Sequence, residues 1–438
     1  MSSAEIGSVA LTLGLLIALV HILGYLFERL RQPKLVGEIL AGILVGPFVL
    51  GQLSPSLFAT LLGTSGETNK TEVVLNFIYW VGLFLLMFLS GSETRRLLAR
   101  ESRKEIAWML GIGTPLPFFL VLGLGMLSLL PLAMITGTAG QEMSALLILA
   151  IAVSVTSIPV ISRIFFDLKI LHTRFASLIL GSAVLEDIIL WGVLAIATGL
   201  VTSSGLAQTA VTSQMVSHSL VTFGFMILGL TLAPLLLKKL HHASWNILMK
   251  ASPKGYIFVV LFSYIALASA LDVNLVFGAF LAGFGLVGGL HGSERAHFSG
   301  SLESIAKVSF SFFVPLYFAL VGFKLSLGKD FSPSMLLIFL TGSTILALIA
   351  NGLAARLAGF RGLDIVNLAI TTNARGGPGI VLASVAFDAG IINATFYTTL
   401  VLTAILTSQA AGAWLRFVLG KGWPLLSSHP EEPQRSAT

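Results

Sequence analysis

Two carboxylates stand side by side, Glu186 and Asp187, in a run otherwise free of charged side chains from Phe175 to Gly205. They lie about 12 residues into an apolar stretch that begins near Arg174. At about 1.5 Å per residue, that depth is the midplane of a lipid bilayer. One carboxylate at the midplane costs at least a few kcal/mol. Two adjacent ones repel, so at least one holds a proton part of the time. The chemistry such a pair offers is exchange: one anionic site takes a hard metal cation or protons, but not both at once. Na+ and similar ions prefer oxygen ligands.

Further oxygens stand in nearby runs. Ser154, Thr156 and Ser157 precede Pro159, which removes an amide donor and frees backbone carbonyls near the middle of its apolar run. Such carbonyls are tolerated in a membrane only where protein, water or an ion satisfies them. A second run, from Thr371 to Pro378, holds Asn373, Arg375 and Pro378 and carries one fixed positive charge in the same kind of interruption. Two broken helices in matching halves of a chain point to a transport site. A competing reading gives the carboxylates a structural role, as a static ion pair with Arg375. Glu38 and Glu93 fall near the inner ends of their apolar runs, where solvation is cheap. His21 and His218 read as packed histidines. His172, His241, His242, His291 and His297 all fall on one side and either sense pH there or are ordinary loop residues.

The elements that must hold these residues follow from composition. Of 438 residues, 55% are hydrophobic and only 11% charged, with a mean hydropathy of +0.94. A soluble domain carries about 25% charged residues, so the excess apolar area must face lipid. Thirteen apolar runs fit spans: 7–28, 35–53, 73–92, 106–130, 144–166, 175–202, 215–237, 255–271, 274–290, 305–326, 334–355, 364–389 and 395–418. With the N-terminus outside, 22 of the 26 basic residues fall in inner loops and three outside, while Arg375 lies within a span. One missed span would invert every later loop, so the alternation supports the count. The net charge of +6 is therefore a signal of orientation, not of nucleic-acid binding. No cysteine is present, which excludes disulfides and thiolate sites. The first run lacks a basic start and a small-residue cleavage site, and reads as a retained span.

Span 2 contains Gly37-Glu-Ile-Leu-Ala-Gly42 and span 9 contains Gly278-Ala-Phe-Leu-Ala-Gly283, a shared G-x-x-L-A-G. Spans 2 and 9, like the interrupted spans 5 and 12, are seven apart, so each pair crosses in opposite directions. That predicts an inverted repeat: one transmembrane domain over 1–420, made of a repeat over 7–202, a linker helix at 215–237 and a second repeat over 255–418. Chance recurrence of small-residue packing motifs is the alternative for the glycines alone. A short disordered tail is expected at 421–438. No nucleotide-binding fingerprint stands outside the spans.

At these residues the chain resembles the monovalent cation:proton antiporter superfamily. It looks closest to the branch of bacterial Na+/H+ and K+/H+ exchangers, glutathione-gated K+ efflux systems and plant cation/H+ exchangers. The similar stretches are Gly37 through Pro47, Phe88 through Glu93, Ser154 through Arg163, Ala183 through Ile188, Pro315 through Lys324 and Asn373 through Gly376. They cover residues 7–418 in order. The resemblance implies an all-α fold of thirteen helices with crossing unwound middles in spans 5 and 12. It also implies a homodimer in a bacterial inner membrane, whose core domain moves like an elevator against a dimer scaffold. It assigns the cation- and proton-carrying role to Asp187, the preceding position to Glu186, and the unwound segment to Thr156 and Ser157. Two departures stand out. Glu is atypical in the first position of the pair, and Asn351 occupies the place where many relatives put a buried Lys.

The expected protein is thus a transporter, not an enzyme. Na+ or K+ and H+ are its substrates, Asp187 is the transient metal ligand, and no cofactor is expected. A gated K+ channel on the same scaffold is the second hypothesis, although no filter motif is visible. An organic-anion symporter is the third, opposed by the like charge of the carboxylates.

Overall fold

The computed structural model describes residues 3–427 except 31, 63–69, 98–102, 172, 203–207, 244, 288–291, 326 and 329–330. Its helices, in chain order, are α1 (Ser3–Arg29), α2 (Lys34–Val45), α3 (Leu50–Leu53), α4 (Pro55–Leu62), α5 (Lys70–Leu97), α6 (Arg103–Trp108), α7 (Pro115–Met126), α8 (Glu142–Ser154), α9 (Ile158–Asp167) and α10 (Arg174–Thr202). Then come α11 (Gln208–His242), α12 (Ile247–Ala251), α13 (Pro253–Ala270), α14 (Leu275–Val287), α15 (Gly292–Val308), α16 (Val314–Phe323), α17 (Pro333–Leu357), α18 (Leu363–Thr372), α19 (Gly376–Asp388) and α20 (Ala394–Gly420). A π-helical turn joins α6 to α7 at Met109–Gly113, and another joins α15 to α16 at Ser309–Phe313.

Helix is what an apolar chain forms where no water can satisfy its backbone. Prolines in the first turns of α7, α13, α16 and α17 stand where the missing N–H costs nothing, whereas Pro234 lies inside α11. Ser252, Ser332 and Asn393 cap α13, α17 and α20, each side chain accepting from a backbone N–H in the first turn. Among the described residues, ten helical stretches are long and apolar enough to cross a membrane. The three expected spans that hold shorter helices are 5, 9 and 12. Span 9 contains the 13-residue α14, and the other two are interrupted.

The chain divides into two compact units, each drawn from both halves of the sequence. One comprises residues 1–96 and 203–331, the other 97–202 and 332–438. In the first unit the two G-x-x-L-A-G motifs do matching work. A Cβ on Gly37 would overlap the backbone of α1 at Leu23, and one on Gly278 would press on Ala268 of α13. The second glycines face other helices. A Cβ on Gly42 would overlap the Ala319 carbonyl of α16, while α16 answers with Gly322 against Ile39. Gly283 lies in the same way against the Phe88 carbonyl of α5, and Gly91 of α5 against Phe280. Each motif thus seats its helix between two others at backbone contact, the role small residues play in membranes. The partners, α1 and α13 or α16 and α5, are themselves spans seven apart.

In the second unit two loops clip together away from the broken middles. Thr136 pairs with Ile392 as an antiparallel bridge, the Gly137 and Ala139 amides donate to Ile391 and Gly390, and Asn393 N donates to Ile135 O. The start of α8 is thereby tied to the end of α19. Part of the expected disordered tail is also held. Ser427 donates from both its amide and its hydroxyl to the fully buried Asp364, at 2.7 and 2.8 Å. Asn367 donates to Leu425 O and accepts from Trp414 Nε1. Leu425 and Leu426 are buried, an apolar pair inside a polar stretch. Residues 428–438 lie outside the described residues.

Overpacking a close helix crossing costs about 1–3 kcal/mol or more. Gly42→Val and Gly283→Val should therefore lower the thermal midpoint of the detergent-solubilised protein sharply. Gly14→Ala, where a Cβ meets nothing within 4 Å, should leave it unchanged. Equal melting curves for all three variants would contradict the crossing.

Candidate functional site

Span 5 is broken at 155–157. Ser154 ends α8, Val155 is extended with φ −72 and ψ 137, and α9 begins at Ile158. Span 12 is broken at 373–375, between α18 and α19. The two gaps meet. Ser157 N donates to Ala374 O at 2.7 Å, and Thr156 Oγ1 donates to Thr372 O at 2.8 Å. Unwinding strands donors and acceptors that hydrocarbon cannot satisfy, and the crossing satisfies several of them reciprocally.

α10 packs against α8, α9, α18 and the π-helical turn, and carries Glu186 and Asp187 into this region. Glu186 is 5% exposed and Asp187 fully buried. The hydroxyls of Thr156 and Thr114 and the Thr156 backbone N–H lie within interaction range of the Glu186 carboxyl. Thr114 follows the π-helical turn, and its neighbour Gly113 has the Asn351 carboxamide where a Cβ would go. Asn351 therefore stands one residue from a group that faces Glu186, and its Nδ2 donates to Ala347 O within its own helix.

The competing reading, a static ion pair with Arg375, finds no such contact among the described residues. Arg375, 2% exposed, donates from Nη1 to Ser343 Oγ at 2.8 Å and from Nη2 to Val153 O at 3.4 Å, with its guanidinium 5.9 Å from the Phe339 ring centre. Neither carboxylate is its partner. Val153 lies in the last turn of α8, so the guanidinium rests on the partial negative charge of a helix C-terminus. That is how a buried arginine persists here without a carboxylate.

The opposite pole is capped from a neighbouring helix. Gly376 N, opening α19, donates to Ser408 Oγ at 3.0 Å, and Arg375 N donates to Thr407 Oγ1 at 3.4 Å, both acceptors on α20. Gly376 has φ +30, and a Cβ there would meet Ser157 Oγ and Val160. Only glycine brings the start of α19 so close to the start of α9.

Several buried oxygens have no hydrogen-bond partner among the described residues: Ser157 Oγ, Glu186 Oε1, both Asp187 oxygens and Asn373 Oδ1. All belong to residues expected at the site. Ser154 does not join them, because its hydroxyl donates back to Ala150 O. Pro159 and Pro378 lie in the first turns of α9 and α19, positions that suit proline, with the breaks just upstream. Thr114, Ser343, Thr407 and Ser408 were not anticipated. A Thr-Ser pair deep in span 13 was the available signal, but isolated hydroxyls in apolar helices usually bond to their own backbone. His21 meets the Ser311 carbonyl at 2.9 Å, a packing role. His172 and His291 lie outside the described residues, as do the side chains of His218, His242 and His297.

With ten helical stretches suited to spanning among the described residues, the chain is a multi-pass integral membrane protein. The sequence pattern of the family described as sodium/hydrogen exchanger, transmembrane, matches residues 15–421, and the chain belongs to that family. It is 27% identical over 398 residues to K(+)/H(+) antiporter 1 of Saccharomyces cerevisiae, covering 87% of this chain and 43% of that one. It is 26% identical over 403 residues to cation/H(+) antiporter 18 of Arabidopsis thaliana, covering 90% and 47%. Similarity to the Na(+)/H(+)-K(+) antiporter GerN of Bacillus cereus is 26% over 405 residues, covering 91% and 92%. The chain thus spans less than half the length of the yeast and plant relatives. The structure of the sodium proton antiporter MjNhaP1 from Methanocaldococcus jannaschii shares the fold, with a TM-score of 0.61 and 16% identity over 95% of this chain and 99% of that one.

Loss of a helix-capping hydroxyl costs about 0.5–2 kcal/mol. Ser408→Ala should therefore lower thermal stability by about 1 kcal/mol, and Thr407→Ala by less, given its longer bond. Thermal unfolding in detergent reads both, and an unaltered midpoint for Ser408→Ala would mean that α19 is not capped from α20.

Proposed function

We propose that this chain exchanges a monovalent cation, Na+ or K+, for protons across a bacterial inner membrane, with Asp187 carrying cation and proton in turn. The observation that carries the proposal is the set of buried, unpartnered oxygens on Asp187, Glu186, Ser157 and Asn373 beside a helix crossing. Each is an acceptor that hydrocarbon leaves costly and that a hard cation or a proton stabilises. Thr156 braces the crossing and orients Glu186, while Arg375 balances charge at the end of α8 without neutralising the pair. The printed activities of the yeast, Bacillus and plant relatives support cation/proton antiport. Asn351, uncharged, leaves the carboxylates as the groups that set the proton count.

The reading extends to architecture. The chain crosses thirteen times, with the N-terminus outside and the C-terminus in the cytoplasm, in keeping with the distribution of basic residues. Repeats over 7–202 and 255–418 flank a linker helix. The unit that carries the carboxylates moves in an elevator-type alternating-access cycle within a homodimer.

Asp187→Asn should abolish cation-dependent proton movement in proteoliposomes while leaving the melting midpoint near wild type. Full activity in that variant would remove Asp187 from the mechanism. Glu186→Gln should retain exchange but alter its pH profile, read by a fluorescent proton dye with Na+, K+ and Li+ in turn. An unaltered profile would exclude Glu186. Exchange should slow as pH falls, because protons compete with the cation for the same oxygens. Flux indifferent to a proton gradient would favour the channel instead.

A further inference from the structure

The first unit contains a cavity of about 470 Å³ where the end of α11, the short α12 and the first turns of α13 meet. Leu237, Leu240, Leu248 and Val260 give it an apolar wall, and Tyr256 and Tyr264 stand along α13. Those tyrosines are eight residues apart, so the groove follows the helix for about 12 Å. At its mouth Trp245 is 72% and Ile247 75% exposed, two large apolar side chains facing outward on a tight connection. The Tyr256 ring is buried in the cavity wall.

Lysines lie on the three elements that flank the cavity. Lys238 and Lys239 lie in the last turns of α11, Lys250 in α12 and Lys254 in the first turn of α13, all exposed. No acidic residue occurs between Asp187 and Asp272. An apolar slot, a tryptophan at its lip and exposed lysines on the flanking turns match a molecule with a hydrocarbon tail and an anionic head. A second copy of this chain fits less well, since a two-fold contact on this face would bring the lysines together.

We propose that this cavity binds an anionic phospholipid of the cytoplasmic leaflet. One acyl chain lies along the α11–α13 wall, and the phosphate is held by Lys239 and Lys254. The assignment to the inner leaflet rests on the orientation proposed above, whereas binding itself depends on neither orientation nor transport.

Native mass spectrometry of the full chain in neutral detergent, titrated with phosphatidylglycerol or phosphatidylcholine, tests the proposal. Phosphatidylglycerol should be retained preferentially. Lys239→Gln and Lys254→Gln should each weaken it about fivefold, in line with the attraction of one basic residue to an anionic lipid. Ser263→Trp, at an exposed lining position, should fill the slot and abolish retention while cation/proton exchange persists. Equal retention of both lipids, or unchanged binding in the lysine and Ser263 variants, would overturn the proposal. So would dissociation of an oligomer by Ser263→Trp, which would make the groove a contact between copies, or equal competition by inorganic phosphate, which would make it a plain anion site.

Discussion

Hydrocarbon does not solvate a peptide bond, and that constraint orders the second unit. Two helices stop near mid-span, and their exposed backbone groups turn to one another and to side chains on adjacent helices. Ser157 N and Ala374 O, Thr156 Oγ1 and Thr372 O, Gly376 N and Ser408 Oγ are all consequences of the same interruption. What the protein obtains is a place at membrane depth where polar atoms are dense and oriented. The carboxylates of α10 are delivered to that place, not to open lipid.

Charge follows the same logic. Arg375 is as deeply buried as the carboxylates yet bonds a hydroxyl and a helix-terminal carbonyl. Placing the arginine on the end of α8 lets a helix dipole absorb part of its charge, without a carboxylate partner.

The broad fold was legible because its signals are long and redundant. Apolar runs of about twenty residues recur along the chain, and helix is what such runs form where no water satisfies the backbone. The interruptions at Pro159 and Pro378 were visible too, although the prolines begin the second half-helices and the unwound residues lie just before them. The capping hydroxyls Thr407 and Ser408, and Ser343 beneath Arg375, were hidden, because nothing local separates a serine that bonds its own helix from one that reaches across. Ser154 has the right type and neighbourhood, and its hydroxyl donates to its own turn at Ala150 O. Residues 421–427 were misread because composition averaged Leu425 and Leu426 into a polar stretch, while the buried acceptor for Ser427 lies 63 positions earlier.

The clip between the loops at Thr136 and Ile392 has a mechanical consequence. α8 and α19 are fastened at one end by the β-like bonds of their loops and at the other by the crossing itself, so together they form a closed arch with both feet pinned. Such an arch resists sliding of either half-helix along its own axis, and any deformation of the unit must be absorbed at joints outside it.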